Sequence, residues 1–145
     1  NPNSREKASF LKENILPLSE NGCLNLIEGG GPMLSKTPFP FKILLVNGHT
    51  DKQMLPVINY KGREIIYVAD LIPTVGHLPI SYIMGYDTRP LLTLKEKELF
   101  LKDALRNNSL LFFEHDPYNV LISLQKTEKG IRKKEQYNFD SYFSD

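Results

Sequence analysis

The chain has 145 residues and a formal net charge of +1 at pH 7, with 41% hydrophobic and 24% charged residues. This composition is that of an ordinary globular protein, and the small net charge does not favour nucleic acid or an acidic membrane surface as a partner. The apolar runs are all much shorter than the roughly 20 residues of a membrane-spanning helix. We therefore expect one domain over residues 1–145 that binds neither nucleic acid nor a membrane.

Cys23 is the only cysteine. It cannot form an internal disulfide, which favours a reducing compartment such as the cytoplasm. Zinc sites built from cysteines are excluded, so a transition metal would have to be held by histidine and carboxylate ligands.

The N-terminal part predicts a helix, a short strand and a loop. Asn3 and Glu6 have the spacing of a capping box, and a helical apolar face follows at Ala8, Leu11, Ile15 and Leu18. Pro17 and Gly22 are predicted to end this helix. Residues 23–27 form an apolar run typical of a strand, and 28–40 are rich in glycine and proline, as in a loop. The sequence starts at Asn1, directly before the predicted cap, so we expect either a piece of a longer protein or the loss of a few residues.

The rest of the chain is predicted to form six strands, with one long helix between the third and the fourth. The predicted strands cover residues 41–46, 53–60, 63–69, 110–113, 120–126 and 131–137, with hairpin turns at Lys61-Gly62 and around Gly130. Residues 71–90 are irregular, with one turn of helix expected around 80–84. Thr93 and Glu96 form a second capping box, which would open a helix to about Asn107 with a buried stripe at Phe100, Leu101, Ala104 and Leu105. Residues 138–145 are predicted to be an irregular tail.

Three polar residues follow directly after predicted strands: His49, Asp70 and His115. Strand ends in layered α/β folds present side chains to a shared crevice, so these residues are candidates for one site. Imidazole and carboxylate are ligands for zinc, and also admit manganese or iron. Water on such a metal becomes hydroxide near neutral pH and can attack an ester, lactone, amide or phosphoester. Thr50 and Asp116 are candidates for orienting the rings. Each residue alone is more often structural, as part of a turn or a cap.

Three segments resemble, in order, the last three metal motifs of the metallo-β-lactamase-fold hydrolases: Gly48-His49-Thr50, Val68-Ala69-Asp70 and Phe113-Glu114-His115-Asp116. The hairpin at Lys61-Gly62 and the helix before the third motif are also similar to that family. Asp70-Leu71-Ile72-Pro73-Thr74, His77 and Met84-Gly85-Tyr86-Asp87 resemble a branch in which the loop after the aspartate is long.

The resemblance implies an α/β fold, half of a four-layer αβ/βα sandwich with a mixed or antiparallel sheet and flanking helices. This chain would be the C-terminal half. His49 would bind the first of two zinc ions, Asp70 would bridge both, and His115 would bind the second. The family's earlier His-x-His-x-Asp-His motif does not occur here, because the three histidines of the chain are widely separated, at positions 49, 77 and 115. The aspartate that orients the water belongs to that motif, so no catalytic residue is assigned.

The incomplete ligand set leaves two main interpretations. In the first, the chain is the C-terminal part of a binuclear metal-dependent hydrolase of a small-molecule substrate. Alone it would bind zinc weakly and be inactive, and it would pair with an N-terminal half or a second copy. His77 and Tyr86 would contact substrate or only pack the loop. In the second, the chain is a non-catalytic interaction module with an incomplete metal site. An unrelated α/β binding domain is a third interpretation.

Overall fold

A computed structural model describes residues 2–27, 31–34 and 37–144. Contacts divide the chain into two compact units, residues 1–30 and 31–145. Among the described residues, none of the helices combines the length and the apolar character needed to cross a bilayer.

The N-terminal unit contains one short helix, α1 (Lys12–Glu20), instead of the longer predicted one. The capping box is formed: the Asn3 N–H donates to Glu6 Oε2 at 2.9 Å, and the Glu6 N–H donates to Asn3 Oδ1 at 3.1 Å. It closes a turn, however, and the helix begins later. Pro17 lies inside α1, and no described residue of this helix is buried. The predicted apolar face is therefore exposed.

The predicted strand at residues 23–27 is wrong, because this segment forms no strand. The run is apolar, but a strand needs a neighbouring strand to pair with. The predicted loop 28–40 contains the two-residue strand β1 (Met33–Leu34), while residues 28–30, 35 and 36 lie outside the described part of the chain.

The second unit is built on a seven-stranded sheet in which the strands follow one another in chain order. After β1 come β2 (Lys42–Val46), β3 (Gln53–Tyr60), β4 (Arg63–Tyr67), β5 (Leu110–Phe112), β6 (Leu121–Thr127) and β7 (Gly130–Tyr137). β4 and β5 pair in parallel, and all other neighbours are antiparallel. Lys61 and Gly62 both have positive φ, 48° and 75°, as a two-residue hairpin turn requires. The mixed α/β sheet predicted from the sequence is confirmed.

The long helix α2 (Pro90–Arg106) connects β4 to β5 and packs on one face of the sheet. Phe100, Leu101 and Ala104 are buried as predicted, and Leu105 is half-buried. The predicted capping box is wrong, because α2 begins three residues before Thr93, with proline in its first turn. The Glu96 carboxylate instead accepts hydrogen bonds from the loop that carries His49.

Different elements pack on the two faces of the sheet. On the first face a large core joins the strands to α2 and to the loop after β4; its members include Leu55, Val57, Ile66, Ile72, Leu101, Leu111 and Ile122. On the second face Ile65, Leu110 and Leu121 pack against side chains of α3 (Phe139–Phe143). The prediction of an irregular tail is thus wrong for α3, which Asn138 caps by accepting from the Asp140 N–H at 2.9 Å.

The predicted helical turn around residues 80–84 is also wrong. The loop instead forms two 3₁₀ turns earlier, at Ala69–Leu71 and Val75–His77. Leu71 of the first turn joins the first-face core, as do Ile72 and Leu78, which directly follow the two turns, and this packing fixes the path of the chain there.

The topology places three chain segments at one edge of the sheet. β2 is antiparallel to β3, and β3 is antiparallel to β4, so β2 and β4 run in the same direction. β5 is parallel to β4. The C-terminal ends of β2, β4 and β5 therefore meet at the same edge, and His49, Asp70 and His115 follow those ends.

Candidate functional site

The loop that presents His49 is held by the first part of α2. The Glu96 carboxylate accepts from the N–H of Asn47 at 2.8 Å and from the N–H of Gly48 at 2.9 Å. A Cβ atom on Gly48 would lie 2.2 Å from Thr93 Oγ1 and 2.4 Å from the Thr93 nitrogen, so only glycine fits this approach.

The imidazole of His49 is held at one nitrogen and presents the other. Nδ1 lies 2.9 Å from Oδ1 of Asp87, a side chain that is only 3% exposed. Because a carboxylate accepts, this contact favours the tautomer in which Nδ1 carries the proton. Nε2 lies 3.5 Å from Oδ2 of Asp70. A carboxylate that holds one ring nitrogen of a histidine is typical of histidines that bind metals through the other nitrogen.

Asp70 lies between the two histidines. It sits in the 3₁₀ turn that follows β4, and its Oδ1 is 3.3 Å from Nε2 of His115. The structure therefore brings the three predicted ligands together, with one carboxylate oxygen facing each ring. Side-chain exposure rises from 16% for His49 and 27% for Asp70 to 50% for His115, so the site opens toward solvent.

The three side chains supply imidazole and carboxylate donors but do not by themselves complete a metal site. Among the described residues, no group of three or more histidine, cysteine, aspartate or glutamate side chains is arranged to hold a metal ion. The two Nε2 atoms face different oxygens of Asp70, so the geometry suits a carboxylate shared by two ions better than one ion bound by all three residues. Each ion would then have two ligands here, fewer than the four of a typical zinc site.

Asp116 ties the loop after β5 to the loop after β4. Its Oδ2 accepts from the Val75 N–H at 2.9 Å, and its Oδ1 accepts from the N–H groups of Tyr118 and Asn119 at 3.0 and 2.9 Å. Burial alone would raise the pKa of Asp116, but these hydrogen bonds lower it below its usual value. Asp116 thus fixes the loop that carries His115.

The other three predicted residues lie around the loops of the site. Thr50 is half-buried next to His49, and Tyr86 is largely exposed beside Asp87. His77 Nδ1 lies 2.9 Å from Thr74 Oγ1. Burial, and then the charge of Lys97, lower the pKa of His77.

Lys97 is a buried charged residue that the sequence analysis did not single out. It is fully buried, and its Nζ donates to the carbonyl oxygens of His77, Pro79 and Tyr82 at 3.1, 3.0 and 2.6 Å. Burial lowers the pKa of Lys97 to about 8, with Asp87 acting in the opposite direction. The helical spacing of the sequence already placed Lys97 on the buried stripe of α2. The buried residues of this helix are Thr93, Lys97, Phe100, Leu101 and Ala104. A lysine at such spacing indicates a buried polar contact.

Tyr67 places a phenol at the same edge of the sheet. It is the last residue of β4, and its ring makes an edge contact with Phe112 at 5.4 Å between centroids. Burial raises the pKa of Tyr67 to about 12, and the neighbouring Glu114 and Asp70 add to this shift. The phenol is therefore protonated at neutral pH.

No protein-family model and no curated protein matches the sequence. Solved structures do resemble the chain. A probable metal-dependent hydrolase from Staphylococcus aureus is 22% identical with a TM-score of 0.74, and the match covers 94% of this chain and 48% of that one. AidC, a dizinc quorum-quenching lactonase, is 23% identical with a TM-score of 0.69 and the same coverage.

A third structure, the hydrolase AbOPH of the beta-lactamase superfamily, is 16% identical with a TM-score of 0.74, covering 89% of this chain and 44% of that one. The chain spans about half the length of these structures. At such low identity the likeness shows the fold alone. It confirms the α/β fold predicted from the motifs, since the chain has the fold of about half of each of these structures.

Proposed function

We propose that the chain supplies the C-terminal half of a binuclear metal site in a hydrolase. One observation carries this proposal: the two oxygens of Asp70 face Nε2 of His49 at 3.5 Å and Nε2 of His115 at 3.3 Å. The carboxylate could also pair with the two rings directly, but two imidazoles around one carboxylate are also a donor set that divalent metals bind.

His49 and Asp70 would hold one ion, and Asp70 and His115 the other. Zinc is the first choice, and the same donors admit manganese or iron. When bound, the ions would supply hydroxide near neutral pH and polarise the bond to be cleaved. This chain's residues would fix the geometry: Asp87 orients His49, Glu96 holds its loop, and Asp116 holds the loop of His115.

The remaining ligands would come from a partner, either an N-terminal half with a His-x-His-x-Asp-His motif or a second copy. The second face of the sheet suits such a partner. Met54 and Ile58 of β3 are 46% and 39% exposed there, and Ile58 is paired with Ile65, which belongs to the second-face cluster. Packing a second sheet on this face would bury those side chains.

The substrate would be a small molecule with an ester, lactone, amide or phosphoester bond. Lactones are the first to test, because AidC is a lactonase and another similar structure is an N-acyl homoserine lactone hydrolase. The exposed Tyr86 and the half-buried His77 lie in the long loop beside the site and are candidates for contacting substrate.

A non-catalytic interaction module is the second candidate. It is favoured by the ligand count, since the chain offers only two histidines and one bridging carboxylate to the site. In this case the exposed side chains of the second face would bind a partner without restoring a metal site.

Expression of the complete gene product tests the proposal. A coding sequence with the His-x-His-x-Asp-His motif upstream of this chain, and zinc-dependent hydrolysis lost in Asp70→Ala but kept in Asp103→Ala, is the expected result. Asp103 is an exposed aspartate of α2 and serves as a matched control. A native product without the motif, or hydrolysis that survives Asp70→Ala, would contradict the proposed hydrolase function. The non-catalytic interaction module would then be the remaining candidate.

A further inference from the structure

We propose that residues 138–144, the α3 segment, are a displaceable cover for the second face of the sheet. The segment would shield apolar side chains while the chain is alone, and it would open when a second sheet packs on this face. That a second sheet packs there rests on the proposed function, whereas the covering of the face by α3 does not.

The α3 segment lies across the second face rather than along one edge of it. It follows β7, whose last residue Tyr137 pairs with Leu121, and Leu121 pairs with Phe112 at the end of β5. This is the edge of the sheet that carries the candidate site. At the opposite edge, next to the β3–β4 hairpin, Tyr60 Oη donates to the carbonyl oxygen of Phe143 at 3.1 Å. The segment therefore connects the two edges.

The side chains beneath the α3 segment are deeply buried. Leu110 and Leu121 are 0% exposed and Ile65 is 3% exposed, and the cluster that they form packs against the rings of Tyr142 and Phe143. These two rings are themselves half-buried. Moving the α3 segment away would expose part of this apolar cluster to water, which is unfavourable unless another apolar surface replaces it.

A second sheet and the α3 segment need the same space. Two sheets that pack face to face lie roughly 10 Å apart, so their side chains meet directly and leave no room for a helix between them. The neighbouring part of the face is open, because Met54 and Ile58 of β3 are 46% and 39% exposed and Ile58 pairs with Ile65. A partner can thus make its first contact at β3, but it can cover Ile65 only after the α3 segment has moved.

The α3 segment depends on a small number of side-chain contacts. α3 has five residues, and a helix of this length is not stable in water by itself. The Tyr142 ring lies 5.4 Å from the Tyr137 ring, and the Phe143 ring lies 4.7 Å from the Tyr60 ring, measured between centroids. A short element held in this way can open locally at a lower free energy than the whole sheet.

Self-association tests the cover, with a second copy of the chain as the probe. Sedimentation velocity in the presence of a metal chelator would compare wild type with the double variant Tyr142→Ser/Phe143→Ser. A closed cover lowers the apparent affinity by the fraction of chains that are open, so we expect the variant to dimerise on the order of tenfold more tightly or more. Equal dimerisation constants would overturn the proposal.

Two control substitutions identify the surface that associates. Ile58→Asp places a charge on the open part of the second face and, added to the double variant, should abolish its tighter dimerisation. Leu99→Asp changes an exposed leucine of α2 and should leave the tighter dimerisation intact. Tyr82→Ser/Leu91→Ser removes two exposed side chains of similar size elsewhere and should dimerise like wild type. Tighter dimerisation that survives Ile58→Asp would contradict the proposal.

Amide hydrogen exchange of the unmodified chain provides a test that does not require the double variant to fold. The N–H groups of Tyr142 and Ser144 form hydrogen bonds of 2.9 Å within the α3 segment, and the Val68 N–H forms one of 3.0 Å to β5. If the cover opens by itself, the first two amides should exchange at least about tenfold faster than the amide of Val68. Equally slow exchange would show that α3 is a fixed part of the core and would overturn the proposal.

Zinc competition distinguishes this inference from the proposed function. If His49→Ala and Asp70→Ala leave zinc affinity unchanged while the double variant dimerises more tightly, the proposed metal site is wrong and the cover stands. If those variants remove zinc binding while dimerisation of the double variant equals that of wild type, the metal site stands and the cover is wrong.

Discussion

Asp87 and His49 are 38 residues apart in the chain, yet Oδ1 of Asp87 lies 2.9 Å from Nδ1 of His49. The aspartate is buried in the loop after β4, and the histidine follows β2. The contact fixes which ring nitrogen carries the proton, and so which nitrogen is presented to Asp70.

Replacing Asp87 should weaken metal binding without removing a ligand. In Asp87→Asn the ring of His49 can adopt either tautomer, and zinc affinity should fall by about 10- to 100-fold. Competition with a chromogenic zinc chelator measures this change. Asp103→Asn, on the surface of α2, is the control and should have wild-type affinity. An unchanged affinity in Asp87→Asn would show that the contact does not orient a metal ligand.

Gly48→Ala should destabilise the fold. Its Cβ would lie 2.4 Å from the Thr93 nitrogen and 2.5 Å from the Thr93 Cα, and backbone atoms cannot move aside as a side chain can. We expect a loss of about 1–3 kcal/mol in the free energy of unfolding, measured by urea denaturation. Gly85→Ala has open space at its Cβ and should change stability by less than about 0.5 kcal/mol. Equal effects of the two substitutions would contradict the close packing of α2 on the His49 loop.

Asp116→Asn should destabilise the chain in a way that depends on pH. One amide oxygen cannot replace two carboxylate oxygens that accept from three N–H groups, so a loss of about 1–3 kcal/mol is expected at pH 7. Because folding lowers the pKa of Asp116, its stabilising contribution is present above the unfolded value near 3.8 and is lost as the pH falls through the lowered value. Urea denaturation at pH 7 and pH 3 should show the difference from wild type shrinking at low pH. A difference that grows on acidification would be the opposite of this expectation.

Lys97 should produce a rise in stability above pH 8. Its pKa is lowered from 10.5 to about 8 in the fold, so between these values the unfolded chain binds more protons and the free energy of unfolding increases with pH. The increase should be about 1–3 kcal/mol. The raised pKa of Tyr67 acts in the opposite direction, but only above pH 10. Comparing wild type with Lys97→Met from pH 7.5 to 9.5 isolates the lysine, and parallel curves would show that its pKa is not lowered.

The sequence predicted the parts of this molecule that depend on local pattern. Strands β2, β3, β4, β6 and β7 and the stripe of α2 follow from apolar periodicity, and the turn at Lys61-Gly62 follows from its residue types. The position of His49, Asp70 and His115 after predicted strands, together with their order, led to the expectation that they share one site. The structure brings them together because β2, β4 and β5 run in the same direction.

The errors arise where structure depends on contacts between distant segments. The Thr93 and Glu96 pair has the spacing of a capping box, but Glu96 bonds to Asn47 and Gly48, which are almost fifty residues earlier. Residues 23–27 are apolar enough for a strand, but a strand also needs a partner. Lys97 interacts with a loop whose path no local pattern specifies.

Metal titration of the chain is the most direct test of the half-site. Zinc competition and cobalt absorption spectra should be recorded for wild type, His49→Ala, Asp70→Ala and His115→Ala, with His77→Ala as the matched histidine control. We predict weak binding of fewer than two ions per wild-type chain, loss of binding in the three site variants, and retention in His77→Ala. Wild-type binding in the three site variants would contradict it.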